Sequence, residues 1–228
     1  MAVEPRRTAQ VFPRSANTVI WLSILASILL LALGIGALYY FTQSNWARGV
    51  GQEVTQPVPF SHQLHANPRG LNISCQYCHN TVAQSSFASV PATETCMSCH
   101  SVIRTNSPNL ALVRESWVQN VPIEWNRVND LPDFVYFNHS SHIAKGVGCS
   151  TCHGNIAAMP VVSKAATLQM GWCLDCHRNP EKYVRPKEEI YNTDWRPPAD
   201  QIAQGRLLVQ KYRIRGSYQL TNCSICHR

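Results

Sequence analysis

Charge is scarce in this 228-residue chain: Asp, Glu, Lys and Arg make up 14% of it, 20 basic residues against 13 acidic. A charged disordered tail is therefore excluded. Core-forming side chains are also scarce once one run is set aside. Residues 19 to 41, VIWLSILASILLLALGIGALYYF, hold a large share of the Leu and Ile. The remainder, in a chain with 14 Pro and 11 Gly, does not read as a conventional folded enzyme. Something other than side chains is expected to fill its core. No cysteine precedes Cys75, so an N-terminal lipid-modified cysteine is excluded.

The apolar run carries no charge over 23 positions, about 34 Å as a helix at 1.5 Å per residue, enough to span a bilayer core of about 30 Å. The competing reading is a cleaved signal peptide, with Gly34, Gly36 and Ala37 as small residues near a cleavage point. The run is longer than the usual 7–15 residue signal core and stays apolar through Phe41. Arg6, Arg7 and Arg14 precede it against Glu4, and only Arg48 follows closely. The bias places residues 1–18 in the cytoplasm and everything after residue 41 outside it. Trp21, Tyr39, Tyr40 and Trp46 sit where interfacial anchors belong.

Cysteine and histidine are what the rest of the chain has in plenty. All ten cysteines fall in five C-x-x-C-H motifs: Cys75/Cys78/His79, Cys96/Cys99/His100, Cys149/Cys152/His153, Cys173/Cys176/His177 and Cys223/Cys226/His227. Chance placement of a His after each of five pairs has odds of roughly one in ten million, and the motif is that of c-type haem attachment. Two thiols about one helical turn apart bond the two vinyl groups on one haem edge, and the next residue turns over the ring to bind iron. Zinc is the competing use of paired cysteines, but zinc does not require His directly after the second Cys. A thioredoxin-like redox pair would need a βαβ setting. Five covalently bound haems, one per about 37 extramembrane residues, would supply the missing apolar mass.

Five six-coordinate irons need five more axial ligands. The four remaining histidines, His62, His65, His139 and His142, form two F-x-H-x-x-H units, each shortly before a C-x-x-C-H. They are expected to make four haems bis-His. One ligand is missing, and Met159 or Met170 is the candidate for a fifth, His/Met haem of higher potential. An iron left open to substrate is the alternative.

The F-x-H-x-x-H unit followed by two attachment motifs occurs at residues 60–100 and again at 137–177, and a last motif closes the chain. The expected layout is a cytoplasmic segment 1–18, a transmembrane helix 19–41, a linker 42–59, a dihaem module 60–100, a connector 101–136 and a trihaem module 137–228. Short helices are expected over Leu110 to Gln119 and from Asp200 through Tyr212, with Pro122 and Pro132 breaking regularity between modules. The fold class is mainly α with little regular structure: one N-terminal membrane helix and a haem-packed domain.

The pattern FNHSSHIAKGVGCSTCH, followed by CLDCH and CSICH, resembles the small class III multihaem cytochromes. That resemblance implies that His139 serves the haem on Cys149/Cys152 and His142 the haem on Cys173/Cys176. By the repeat, His62 and His65 serve the first two haems. Where the three-haem family carries a His before its second motif, this chain has Met170, which favours Met170 over Met159. The stretch PIEWNRVNDLPDFVYFNHSSH, the MGWCLDCHRNP element and one membrane helix before five haems resemble the pentahaem cytochrome subunit of alternative complex III. That family implies a quinol:electron-acceptor oxidoreductase, an iron–sulfur subunit related to molybdopterin oxidoreductases and NrfD-type multispan subunits. It also implies a periplasmic acceptor: a cytochrome c, a high-potential iron–sulfur protein or a terminal oxidase.

The expected role is electron transfer, with no catalytic acid, base or nucleophile. Haem propionates would offset the +7 charge, so nucleic acid is not an expected partner. A freestanding NapC/NirT-type quinol dehydrogenase is the first alternative, disfavoured because Cys75 lies 34 residues beyond Phe41. A subunit passing electrons inward, to a quinone-reducing complex, is the second. A multihaem reductase with an open iron is the third, and no C-x-x-C-K attachment supports it.

Overall fold

The structure, a computed structural model, describes residues 12–227 and divides after Arg48 into two units. Arg6, Arg7 and Glu4, on which the predicted orientation partly rests, lie outside the described residues.

The first unit is one helix, α1 (Ala16–Gln43), 28 residues with a mean hydropathy of 2.5 over its most apolar window. It starts three residues before the predicted span and ends two after it, because Ala16 to Thr18, Thr42 and Gln43 are uncharged and allow the helix to continue. None of its residues is buried. It is long and apolar enough to cross a membrane by length and composition. In its last turn Phe41 meets Trp46, which follows the helix, with ring centroids 5.5 Å apart.

The second unit is a chain of short helices and turns: α2 (His62–His65), α3 (Cys75–Cys78), α4 (Thr93–His100), α5 (Ala111–Gln119), α6 (His139–Ala144), α7 (Cys149–His153), α8 (Met170–Arg178), α9 (Gln201–Lys211) and α10 (Ser217–Leu220). Among the described residues β structure is limited to isolated bridges such as Val147 with Val184. The two helices expected from periodicity, α5 and α9, lie within a residue of their predicted bounds. α5 stops where Asn120 enters the left-handed region (φ 54°) and Val121 N–H returns to Ser116 O, the form of C-terminus that Asn and Gly allow. The side-chain core is small: Val58, Val82, Val113, Ala157, Val184 and Ile190 are the buried apolar residues among those described. α9 packs on the turn at Pro180–Lys182 through Gly205, where any Cβ would collide with the Glu181 carbonyl. Gln201 Nε2 ties the same seam by donating to Glu181 O and Val184 O at 3.0 and 2.9 Å.

The two F-x-H-x-x-H units fold alike. Ser61 Oγ caps α2 by accepting from Leu64 N–H, and Asn138 Oδ1 caps α6 by accepting from Ser141 N–H. Each unit is seated on the other repeat. His139 and Ser140 N–H donate to Ser86 O and Ser85 O, in the loop after the first attachment motif, while Gln63 N–H donates to Met159 O after the third. The duplication seen in the sequence is thus a reciprocal exchange in space.

Candidate functional site

Each F-x-H-x-x-H phenylalanine is wedged against both histidines of its unit. Phe60 meets His62 edge-on at 4.9 Å and stacks on His65 at 4.5 Å. Phe137 meets His139 edge-on at 4.7 Å and stacks on His142 at 4.5 Å. One helical turn and one aromatic clamp thus hold two imidazoles at fixed angles.

These histidines face the motif histidines across a gap. His139 lies opposite His153 with ring centroids 6.5 Å apart and planes 8° apart. His142 and His177 are 6.2 Å apart at 29°, and His65 and His100 are 6.3 Å apart at 68°. Two metal–imidazole bonds of about 2.0 Å, plus the half-ring behind each nitrogen, come to about 6.3 Å. The three centroid spacings match that of two rings sharing one iron. His62 is close enough to His79 for their charges to interact.

The tautomers suit that use. Nδ1–H donates to a backbone carbonyl in His65 (Ser61), His79 (Ser89), His100 (Ile103), His139 (Ser86), His142 (Asn138), His177 (Leu220) and His227 (Phe134), at 2.7–3.2 Å. A carbonyl can only accept, so the proton sits on Nδ1 and the Nε2 lone pair is left for a metal. His153 Nδ1 faces the Asn129 amide at 3.2 Å, and turning that amide over lets its buried Oδ1 accept. His62 Nδ1 is the exception: buried and without a partner. Burial, reinforced by neighbouring imidazoles, lowers His62 and His153 to about 4, which keeps both neutral and able to ligate near neutral pH.

The ten thiols suit covalent attachment. None is paired as a disulfide, and among the described residues no three His, Cys, Asp or Glu are grouped to hold a metal ion in a zinc-type cluster. Beside Cys75 opens a cleft of about 370 Å³, lined among others by Ile73, Ala157 and Tyr191. The cysteines and histidines present therefore fit c-type haem: free thiol pairs one turn apart, each followed by an imidazole with its Nε2 free.

The motifs follow one another in a definite order. Cys78, pushed up first by burial, is also pushed up by Cys96 and Cys99, and Tyr77 Oη meets Ser98 Oγ at 2.7 Å, joining the first motif to the second. Cys149, pushed up to about 11 by burial first, is next raised by Cys75, which joins the first motif to the third. Cys152, pushed up to about 12 by burial, is raised further by Cys176 and Cys173, and Cys173 in turn by Cys226. The spatial series is second, first, third, fourth, fifth. Sequence order alone does not reveal that the first motif lies inside the series.

Met170 opens α8, 66% exposed, one turn before Cys173 of the fourth motif. Met159 is half-buried beside α2, its carbonyl taken by Gln63 and its methyl directed toward Gly154. The structure brings neither sulfur into a recorded contact with His227.

Free thiol pairs, facing imidazoles and a near-absent side-chain core define a multihaem c-type cytochrome. The family model for cytochrome c7 and related cytochrome c matches residues 135–228. The multihaem cytochrome c subunit of menaquinone reductase from Nitratidesulfovibrio vulgaris is 34% identical over a 146-residue alignment, covering 54% of this chain and 68% of that protein. The chain belongs to this family of multihaem cytochromes c, whose members carry covalently bound c-type haems.

Proposed function

We propose that the chain is a membrane-anchored pentahaem cytochrome, the electron-transfer subunit of a quinone-linked respiratory complex. The observation that carries this reading is the unbroken series of five attachment motifs, with imidazole pairs set at iron-spanning distance along it. When bound, each haem supplies one-electron iron redox chemistry. The protein's part is to attach, ligate and tune. Ten cysteines form the thioethers; His79, His100, His153, His177 and His227 are the proximal ligands; His62, His65, His139 and His142 are the distal ones. Met170 completes the fifth site, favoured over Met159 because it stands where the three-haem family carries a His before its second motif.

In this reading α1 anchors the chain in a bacterial inner membrane, N-terminus in the cytoplasm, haem domain in the periplasm. The partners are an iron–sulfur subunit of the molybdopterin-oxidoreductase type, NrfD-like multispan subunits and a periplasmic redox protein, as in alternative complex III. Electrons then leave a quinol site for the periplasmic acceptor. The name of the menaquinone reductase relative favours a second reading, in which the same subunit delivers electrons inward to a quinone.

Gentle detergent extraction from native membranes, followed by mass spectrometry of everything that comigrates with the haem-staining chain, tests both. Recovery with iron–sulfur and multispan subunits is expected, and recovery alone would return the quinol site to this chain. Haem reduction by added quinol, against haem oxidation by added menaquinone, then decides the direction.

A further inference from the structure

Arg185 is the most conspicuous group that haem attachment and ligation leave unexplained. It is 4% exposed, in a domain with few other buried polar residues. Nη1 donates to Ser150 Oγ at 3.1 Å and Asn192 O at 3.3 Å, and Nη2 donates to Thr151 Oγ1 at 3.1 Å. The guanidinium lies 4.2 Å from the Trp195 ring centroid and packs on Gly148, where a Cβ would overlap it. Its Nε is buried without a partner. Every hydrogen-bond acceptor is neutral. Among the described residues it forms no ion pair with a carboxylate; Glu189 acts on it only through space.

A cation buried among neutral protein partners is costly to hold, and its field acts on whatever lies nearest. The field here falls on one motif. Ser150 and Thr151 are the two residues between Cys149 and Cys152, and Gly148 precedes them. The backbone holds the group there: Arg185 N–H donates to Gly146 O at 2.9 Å beside the Val147–Val184 bridge. Reduction of an iron centre lowers its charge by one, so a fixed positive charge nearby favours the reduced state, most strongly where solvent does not screen it.

We propose that Arg185 is a positioning residue for redox potential, a fixed positive charge that raises the midpoint of the haem attached at Cys149 and Cys152. This rests on the haem reading above, and it singles out the middle centre of the series. A purely structural Arg185, knitting Gly148 to Asn192, would depend on the guanidinium fork; the proposed role depends on charge. Arg185→Lys keeps the charge and loses the fork. Arg185→Met removes the charge and keeps an apolar stem. Arg185→Gln also removes the charge but keeps hydrogen-bonding capacity.

The test is an optical and EPR redox titration of the full-length, haem-loaded chain in detergent, with covalent haem counted first. In Arg185→Met and Arg185→Gln one midpoint should fall by at least the 59 mV that a tenfold change in a one-electron equilibrium represents. The other four should hold, and Arg185→Lys should keep most of the wild-type value. Unchanged midpoints in both charge-removing variants, or an equal fall in Arg185→Lys, would overturn the proposal. Should Arg185→Met not load its haems, Arg185→Gln decides alone. Fewer than five haems on the wild-type chain would instead contradict the haem reading itself.

Discussion

His139 and His153 face each other with ring planes 8° apart and centroids 6.5 Å apart, and each is held from behind, His139 by Ser86 O and His153 by Asn129. The two come from different elements, α6 and α7, and their anchors come from two further loops. Four separate chain segments therefore set the spacing and angle of two rings placed to share one coordination point.

Removing one ring should open that point and no other. His139→Ala is expected to turn one low-spin haem high-spin and able to bind carbon monoxide, with the remaining haems low-spin. Visible and EPR spectra of the reduced and oxidised variant check it, and carbon monoxide binding by the wild-type protein would count against full ligation.

Ring geometry should also be visible without mutation. Near-parallel imidazoles such as His139/His153 give a rhombic low-spin EPR signal, and steeply crossed ones such as His65/His100, at 68°, give a strongly anisotropic signal. Low-temperature EPR should resolve both classes, and a single uniform class would not fit.

Phe137 touches both His139 and His142, so its removal should disturb two haems together. Phe137→Ala is expected to shift two EPR signals and to cost about 1–3 kcal/mol of stability, from lost apolar contact and ring stacking. A shift confined to one haem would mean that the clamp acts on one ligand only.

Gly205→Ala places a methyl group against the Glu181 carbonyl and should force α9 off the turn at Pro180–Lys182. Overpacking of this kind costs about 1–3 kcal/mol, read as a lower thermal midpoint. An unchanged midpoint would show that the seam yields easily.

Met170 is expected to matter to one haem alone. Met170→His should lower one midpoint and convert the fifth site to bis-His, while Met159→Ala leaves the potentials alone. The reverse outcome would move the tenth ligand to Met159.

Much of this was legible in the residues. Five C-x-x-C-H motifs, two F-x-H-x-x-H units and the helices at α5 and α9 are local patterns, set by one turn of chain or by a stripe of apolar positions. What was not legible depends on distant backbone. The carbonyls of Ser86, Leu220 and Phe134 that orient His139, His177 and His227 carry no side-chain signal, since any residue offers one. The seating of α2 on Met159 and of α6 on Ser85 and Ser86 is likewise a backbone exchange between repeats. Nothing in the sequence marks Arg185, and only the packing of Gly148 and Trp195 around it reveals its burial.

The central claim is that every thiol pair carries a haem. Intact-mass measurement of the purified full-length chain, after treatment with a thiol-alkylating reagent under denaturing conditions, tests it most directly. Five haem additions and no alkylated cysteine are expected; fewer haems, or any motif whose cysteines alkylate, would contradict it.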